Sequence, residues 1–392
     1  MIPSQRIFAL ADDLTGALEV GAKFAGSGLH ATVRTNLQAS VSRDIDCLSV
    51  DAELRHLSSE ECDTRTREIL RRVKESNGWS LYLKTDSTLR GNIGAQFNAT
   101  LSIFPERAIL YVPAYPQLGR TVCGGCLHVD GIPVEQTAFA NDPISPVRQS
   151  HLPALIRPHI VFPIHVMQPK ELPARLERAV YICEGSTDRD VEQAAIYSMA
   201  HPDLVVAGPA AIAHALARVR GPDNPAEPRR PPVRSCLVVN GSKHPTSAEQ
   251  CRRAREAGWR IVRLNEFEYA ADQMNAWSMV DLESISEENS LARSAEIGRL
   301  MKNLIIRSNP DAVMVIGGDT CYGLLKAFGE PDLNPLGEIR DGVPSSLVEG
   351  NTPLKRDFCL ISKAGGFGSP DLLLDVKAVF DRAWSLPRSS RS

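Results

Sequence analysis

Ile7-Phe8-Ala9-Leu10-Ala11-Asp12-Asp13-Leu14-Thr15-Gly16-Ala17 sets the fold class. A short apolar run ends in two adjacent carboxylates, and a helical pattern then runs from about Leu14 to Ala25. The same unit recurs. Cys47-Leu-Ser-Val50 precedes a charged helical stretch from about Ser58 to Glu75, and Leu81-Tyr-Leu83 precedes one from about Ile93 to Phe104. Ala108–Val112 reads as a further strand. After a long irregular stretch come Val180–Cys183, a helix near 188–200, Leu204–Ala207 and a helix near 210–219. Later in the chain Cys236–Asn240, Ile261–Leu264, Ala312–Ile316 and Phe358–Ile361 read as strands, with helices between them and after the last. Strands alternating with helices imply largely parallel sheets covered on both faces. Such sheets bind ligands at the carboxyl ends of their strands.

The strongest break is the run from Gly221 to Pro232, which holds Pro222, Pro225, Pro228, Pro231 and Pro232. Proline at that density excludes helix and central strand, so the segment reads as an extended linker. The expected organisation is an α/β chain of two domains, each a largely parallel sheet flanked by helices. Residues 1–220 form the first, 221–235 the linker and 236–392 the second, with the active site expected in the cleft between domains.

Composition narrows the function. The 392 residues carry 44 Lys plus Arg against 47 Asp plus Glu, a net charge of −3, and 6% aromatics. Nucleic-acid binding wants a basic face and stacking platforms, so it is not expected. No apolar run approaches the roughly 18 residues of a membrane span. Two carboxylates by residue 13 argue against a signal peptide. The cysteine count is odd, nine, and most sit in apolar stretches, which suits reduced thiols in a cytoplasm. Cys123-Gly-Gly-Cys126 has redox or zinc spacing, but no second ligand pair accompanies it, so it reads as a glycine-bearing turn.

Candidate chemistry gathers where strands end. Asp12 and Asp13 follow the first strand; one can cap the helix, and the other is then available as a general base or metal ligand. Lys84-Thr85-Asp86-Ser87-Thr88-Leu89-Arg90-Gly91-Asn92 packs two cations, a carboxylate and three hydroxyls behind the third strand, a set suited to a small polyhydroxy acid. Arg55 adds a cation at the same rim. Arg120 opens a long loop that runs past Gly131-Ile-Pro133 to Asp142-Pro143-Ile-Ser-Pro146, and loops of that length are often functional.

In the second half, three glycine turns follow three strands: Asn240-Gly241-Ser242, Gly317-Gly318-Asp319-Thr320, and Lys363-Ala364-Gly365-Gly366-Phe367-Gly368. Backbone amides at such turns make anion sites. Neither a GxxxxGK[ST] loop nor a GxGxxG fingerprint is present. Ser247 and Gln250 have capping-box spacing, and Ser369-Pro370 reads as a helix start.

Taken in order, ADDLTGA at 11–17, KTDSTLRGN at 84–92, GRTV at 119–122, GIPVEQTAFANDP at 131–143, GS at 241–242, GGDT at 317–320 and KAGGFG at 363–368 resemble the four-carbon acid sugar kinase family across nearly the whole chain. The resemblance implies an N-terminal domain for the acid sugar and a C-terminal one for ATP. It implies transfer of phosphate from Mg²⁺-ATP to the C4 hydroxyl of a tetronate. D-threonate comes first, with D-erythronate and 3-oxo-tetronates as alternatives. Lys84, Arg90, Arg55 and Arg120 would meet the acid. Thr85, Asp86 and Ser87 would fix its hydroxyls, and Asp12 or Asp13 would accept the C4 proton. Ser242, Gly317, Gly318, Asp319, Thr320, Gly365, Gly366, Phe367 and Gly368 would bind ATP, with the Mg²⁺ ligands unassigned. Domain closure would bring donor and acceptor together. A homo-oligomer is compatible with this reading. The competing expectations are a dehydrogenase or isomerase of phosphorylated sugar acids and a non-enzymatic sugar-acid binder.

Overall fold

The computed structural model describes residues 6–37, 44–76, 78–142, 145–226, 228–263, 276–282, 290–350 and 352–385. Leu264 at an expected strand end, Pro143 and Ile144 in the long loop, and Glu227 in the expected linker lie outside them. The chain divides into two compact units, Met1–Ala226 and Glu227–Ser392.

In the first unit, β1 (Arg6–Ala11) leads into α1 (Leu14–Gly26) and β2 (Ala31–Arg34). Then come β3 (Cys47–Asp51), α2 (Ser59–Ser76), β4 (Trp79–Lys84), α3 (Ile93–Ile103) and β5 (Ile109–Tyr111). The expected irregular stretch instead holds an antiparallel sheet of β6 (Arg120–Cys123), β7 (Cys126–Val129) and β8 (Ile132–Pro133), a short helix α4 (Leu152–Ile156), and β9 (Ile164–Met167). The unit closes with β10 (Val180–Cys183), α5 (Asp188–Met199), β11 (Val205–Gly208) and α6 (Ala210–Arg220).

The main sheet of this unit runs β2-β3-β1-β4-β11-β5-β10-β9 and is parallel throughout. Every residue of β3, β4, β10 and β11 is buried. That is what helices on both faces produce, and it explains why these strands are continuous apolar runs rather than alternating ones. β1 sits where the strand order reverses: the chain leaves it toward β2 and β3 and returns on its other side as β4. Such reversal points open the crevice in which ligands bind.

The second unit repeats the scheme. Its elements are β12 (Cys236–Asn240), α7 (Pro245–Glu256), β13 (Arg260–Arg263), β14 (Trp277–Asp281), α8 (Ser290–Ser308), β15 (Ala312–Ile316), α9 (Gly318–Ala327), β16 (Leu333–Arg340), β17 (Val343–Val348), β18 (Phe358–Lys363) and α10 (Leu372–Ser385). The order is β13-β14-β12-β15-β18-β17-β16. The run from β13 to β18 is parallel, while β17 pairs antiparallel with both β18 and β16. α8 meets α9 through small residues: a Cβ on Gly298 would lie 3.2 Å from the Leu324 nitrogen, against the carbonyl of Gly323.

Parts of the proline-rich segment pack on the unit to which each belongs. Pro222 and Pro225 pack within 3.1 Å of where a Cβ on Gly28 would sit, and Gly28 has φ +78°. Further along, Arg230 Nη2 donates to the Glu338 carbonyl at 2.7 Å. Two cap expectations are corrected. α7 starts at Pro245 with His244 as its N-cap, whose Nδ1 accepts from the Thr246 amide at 3.1 Å. Ser247 and Gln250 therefore fall inside the helix and cannot form a box at its start. α10 starts at Leu372, and 369–371 is a turn in which the Ser369 carbonyl accepts from the Leu372 amide.

Candidate active site and phosphate turns

In the first unit, β3, β1 and β4 end level, with Ala11 opposite both Asp51 and Lys84. Backbone bonds continue past the strand ends: the Asp12 carbonyl accepts from the amides of Leu54 and Arg55 at 2.9 and 3.1 Å. Glu53, at φ +50°, bends the chain there and throws Arg55 back over Asp12. Asp12, Asp13, Arg55, Lys84 and Asp86 thus come together from three loops.

The two adjacent aspartates have different jobs. Asp13 caps α1, its Oδ1 accepting from the Gly16 amide at 2.8 Å. Asp12 is 5% exposed, and both its oxygens lie in the fork of Arg55, at 2.9 Å from Nε and 3.0 Å from Nη2. Arg55 Nη1 reaches Asp13 Oδ2 at 2.5 Å, and its Nη2 lies 3.6 Å from Asp86. Arg55 was expected to hold a substrate carboxylate; here its donors serve three protein carboxylates. Burial raises the pKa of Asp12, with Arg55 and Lys84 acting against it and Asp13 adding to it. Asp51, buried behind this pair, is pushed well up by burial.

Lys84 is 4% exposed and its Nζ lies 3.9 Å from Glu19 on α1. Gly16 makes room for it: a Cβ there would stand 2.8 Å from the ammonium. Asp86 accepts two parallel bonds from Arg90, 2.8 Å from Nη2 and 3.1 Å from Nε, as well as the amide and hydroxyl of Thr88. Burial would raise the Asp86 carboxyl, but Arg90 and Arg55 outweigh it and hold the carboxyl well below the usual range. Thr85 is buried with its hydroxyl near that of Tyr111, and Ser87 is half-buried. Leu89 holds φ +69°, a conformation that costs a branched residue about 1–3 kcal/mol.

The long loop packs onto this cluster. Arg90 Nη1 donates to Asp142 at 3.3 Å, and its guanidinium lies 5.9 Å from the Phe139 ring centre. Arg120 donates to the Leu118 carbonyl, and its buried Nε has no partner among the described residues. Burial lowers its pKa, opposed by Asp130 and Asp86. Sequence reasoning placed Asn92 in a motif but gave it no role. It ties the 84–92 loop to the Arg55 loop through the carbonyls of Leu54 and Leu57, at 3.1 and 2.7 Å. Cys123 and Cys126 face each other across a two-residue turn, with Gly124 and Gly125 at φ +58° and +72°. All nine cysteines are free.

In the second unit the three glycine turns follow β12, β15 and β18, which are neighbours in the sheet. They converge. A Cβ on Gly241 would lie 2.8 Å from Thr320 Cβ, and one on Gly365 would lie 2.9 Å from Ser242 Cβ. Gly317 takes φ +109° as the N-cap of α9, with Thr320 buried and Asp319 exposed in the first turn. Gly318 opens that helix. Ser242 is held through its amide by Asn240 Oδ1 at 3.2 Å, and Asn240 in turn donates to Asp281 at 3.1 Å. Gly366 runs against the His244 ring. Phe367 packs its ring on the Gly342 backbone of the β16–β17 turn, while Gly368 has φ +91°. Ser247 and Gln250 hold this third turn from α7: Ser247 Oγ donates to the Gly365 carbonyl at 2.6 Å, and Gln250 Nε2 to those of Phe367 and Ser369 at 3.0 and 2.8 Å. Among the described residues no group of three or more His, Cys, Asp or Glu side chains is placed to hold a metal ion. No described helix is long and apolar enough to cross a membrane.

Comparison with known proteins agrees with the resemblance drawn from the motifs. A D-threonate kinase of Bordetella bronchiseptica is 28% identical, over 93% of this chain and 95% of that one. A D-threonate kinase of Salmonella typhimurium is 25% identical, over 95% and 97%. Further relatives are named D-erythronate kinase and 3-oxo-tetronate kinase. The crystal structure of a Haemophilus influenzae protein, from a domain family of unknown function, superposes with a TM-score of 0.71 at 18% identity. It covers 95% of this chain and 100% of that one, and shows the shared fold. The profile of the sugar-binding N-terminal domain matches residues 7–216, more than half of the chain, and the chain belongs to that family.

Proposed function

We propose that the chain is a kinase that transfers the γ-phosphate of Mg-ATP to the C4 hydroxyl of a four-carbon sugar acid, D-threonate before others. The observation that carries this is the match to D-threonate kinases along more than nine-tenths of both chains. The site chemistry supports it. Phosphoryl transfer needs positioning and charge neutralisation more than covalent chemistry. The first unit offers a compact set of cations, carboxylates and hydroxyls at a strand-order reversal. The second offers three converging glycine turns at another.

Asp12 is the proton acceptor in this reading. It is buried, its pKa is raised toward working pH, and Asp13 is committed to the helix cap. Arg55 keeps Asp12 in place instead of binding substrate. Lys84, Arg90 and Arg120 supply positive charge for the acid's carboxylate, and Thr85, Asp86 and Ser87 orient its hydroxyls. Ser242, the 317–320 turn and the 365–368 turn receive the nucleotide phosphates through backbone amides and hydroxyls. Magnesium would arrive on the ATP phosphates, which supply hard oxygen ligands for it. The relatives named for erythronate and 3-oxo-tetronate favour those acids as the second reading.

The test is product identification. Incubation with Mg-ATP and D-threonate should give a phosphomonoester on C4 by ³¹P–¹H correlation. Phosphate on C2 or C3, or on the carboxylate, would refute the assignment of the acceptor.

A further inference from the structure

Lys363 carries a charge that the proposed transfer does not use. It ends β18 and is 2% exposed. Its ammonium donates to the carbonyls of Ala364 at 2.8 Å, Gly365 at 3.0 Å and Phe367 at 2.9 Å. An ammonium has three N–H groups and no acceptor, so these carbonyls exhaust it. Ser247 and Gln250 reinforce two of the same carbonyls from α7.

Peptide geometry gives this cluster a consequence. In a planar trans peptide the carbonyl and the next residue's N–H point in opposite directions. No cis peptide bond occurs among the described residues. Fixing the carbonyls of Ala364, Gly365 and Phe367 on one cation therefore turns the N–H groups of Gly365, Gly366 and Gly368 to the opposite side. Successive amides aimed one way form an anion-binding nest. The missing side chains at Gly365 and Gly366 let the turn lie against Ser242 and His244 while it does so.

We propose that Lys363 is a positioning residue for nucleotide phosphate: without touching the ligand, its ammonium aims the amides of Gly365, Gly366 and Gly368 at it. The inference rests on reading the glycine turns as the ATP site. It also makes binding depend on pH. A neutral amine has two N–H groups and a lone pair to set against three carbonyls, so one carbonyl loses its donor and the turn relaxes. Burial lowers the Lys363 pKa to about 8, with the Cys251 thiol on α7 acting the other way. The His244 ring lies against Gly366 of the turn. Phosphate affinity is therefore full below pH 8 and falls as pH rises through it.

The experiment measures Mg-ADP and adenosine affinities by calorimetry, on the full chain and on Lys363→Met, between pH 7 and 9.5. Wild type should lose about tenfold in Mg-ADP affinity across that range, the size of one lost charge-assisted bond. Its adenosine affinity should stay level. Lys363→Met should bind Mg-ADP about tenfold more weakly at pH 7 and show no pH dependence. If that variant does not fold, the wild-type profile decides alone. A flat wild-type profile, or a folded Lys363→Met with wild-type Mg-ADP affinity, overturns the positioning role and leaves the nucleotide reading standing. A wild-type chain that binds no Mg-ADP at any pH overturns both.

Discussion

Replacing Asp12 and Asp13 in turn by asparagine separates two neighbours that look alike in sequence. Asp13→Asn keeps an oxygen to accept from the Gly16 amide, so the α1 cap survives. It loses the charge that faces Arg55 Nη1 at 2.5 Å, on a side chain 23% exposed. The expected effect is about 1 kcal/mol in stability and less than about tenfold in kcat. Asp12→Asn removes the proposed base. General-base catalysis contributes about 10²- to 10⁴-fold, or about 3–5 kcal/mol of barrier. The neutral amide also gives the Arg55 fork one good acceptor where it had two. The assay is ADP release with saturating Mg-ATP and D-threonate, with melting temperature recorded on the same preparations. kcat should fall at least a hundredfold for Asp12→Asn. An Asp12→Asn enzyme within tenfold of wild type would remove Asp12 from the role of base. So would an Asp13→Asn enzyme that loses as much while melting normally.

The raised pKa of Asp12 shifts the acid limb of the rate profile to higher pH than an ordinary carboxylate would give; an acid limb at or below the usual carboxylate pKa would contradict this. Asp86 has the opposite sign. Its folded pKa is depressed, so its stabilisation is present above the unfolded carboxylate pKa and is lost as pH falls through the lower folded value. Asp86→Asn should cost about 3 kcal/mol at pH 7 by leaving Arg90 and Arg55 short of charge, and should flatten the acid side of the stability curve in urea melts. Gly241→Ala drives a methyl to 2.8 Å from Thr320 Cβ and should lower Mg-ADP affinity and stability together, the latter by about 1–3 kcal/mol. Cys123→Ser with Cys126→Ser should leave activity and melting unchanged, because the pair closes a glycine turn and both thiols are free.

The parallel cores were legible because fully buried strands are written as uninterrupted apolar runs. β1, β3, β4, β12, β15 and β18 all stand where Ile7–Leu10, Cys47–Val50, Leu81–Leu83, Cys236–Asn240, Ala312–Ile316 and Phe358–Ile361 were read. The hairpin of β16 and β17 was not legible. Leu333–Arg340 carries Pro335 and Gly337 with register shifts, and Val343–Val348 carries Pro344 and two serines, so neither shows a clean apolar run or alternation. The small β6–β8 sheet was hidden for a similar reason: its strands are two to four residues long.

The candidate residues could be picked out because they cluster after strand ends. Their pairing could not. Arg55 reaches Asp12 only because β3 lies beside β1 and Glu53 bends the chain back, and strand order is not written in any local stretch. Lys363 stands in a glycine motif that assigns it no role. Its burial and its three carbonyl partners exist only once the turn has folded around it. A signal was available: an apolar strand ending in lysine and followed at once by glycines sets a charge where burial is expected.

One measurement bears most directly on the proposed activity. The purified chain is mixed with Mg-ATP and, separately, D-threonate, L-threonate, D-erythronate, L-erythronate and the 3-oxo-tetronates, and ADP release is followed. Turnover with D-threonate well above every other acid is the predicted result. No ADP release above the acid-free rate with any member of the panel would contradict a four-carbon acid kinase.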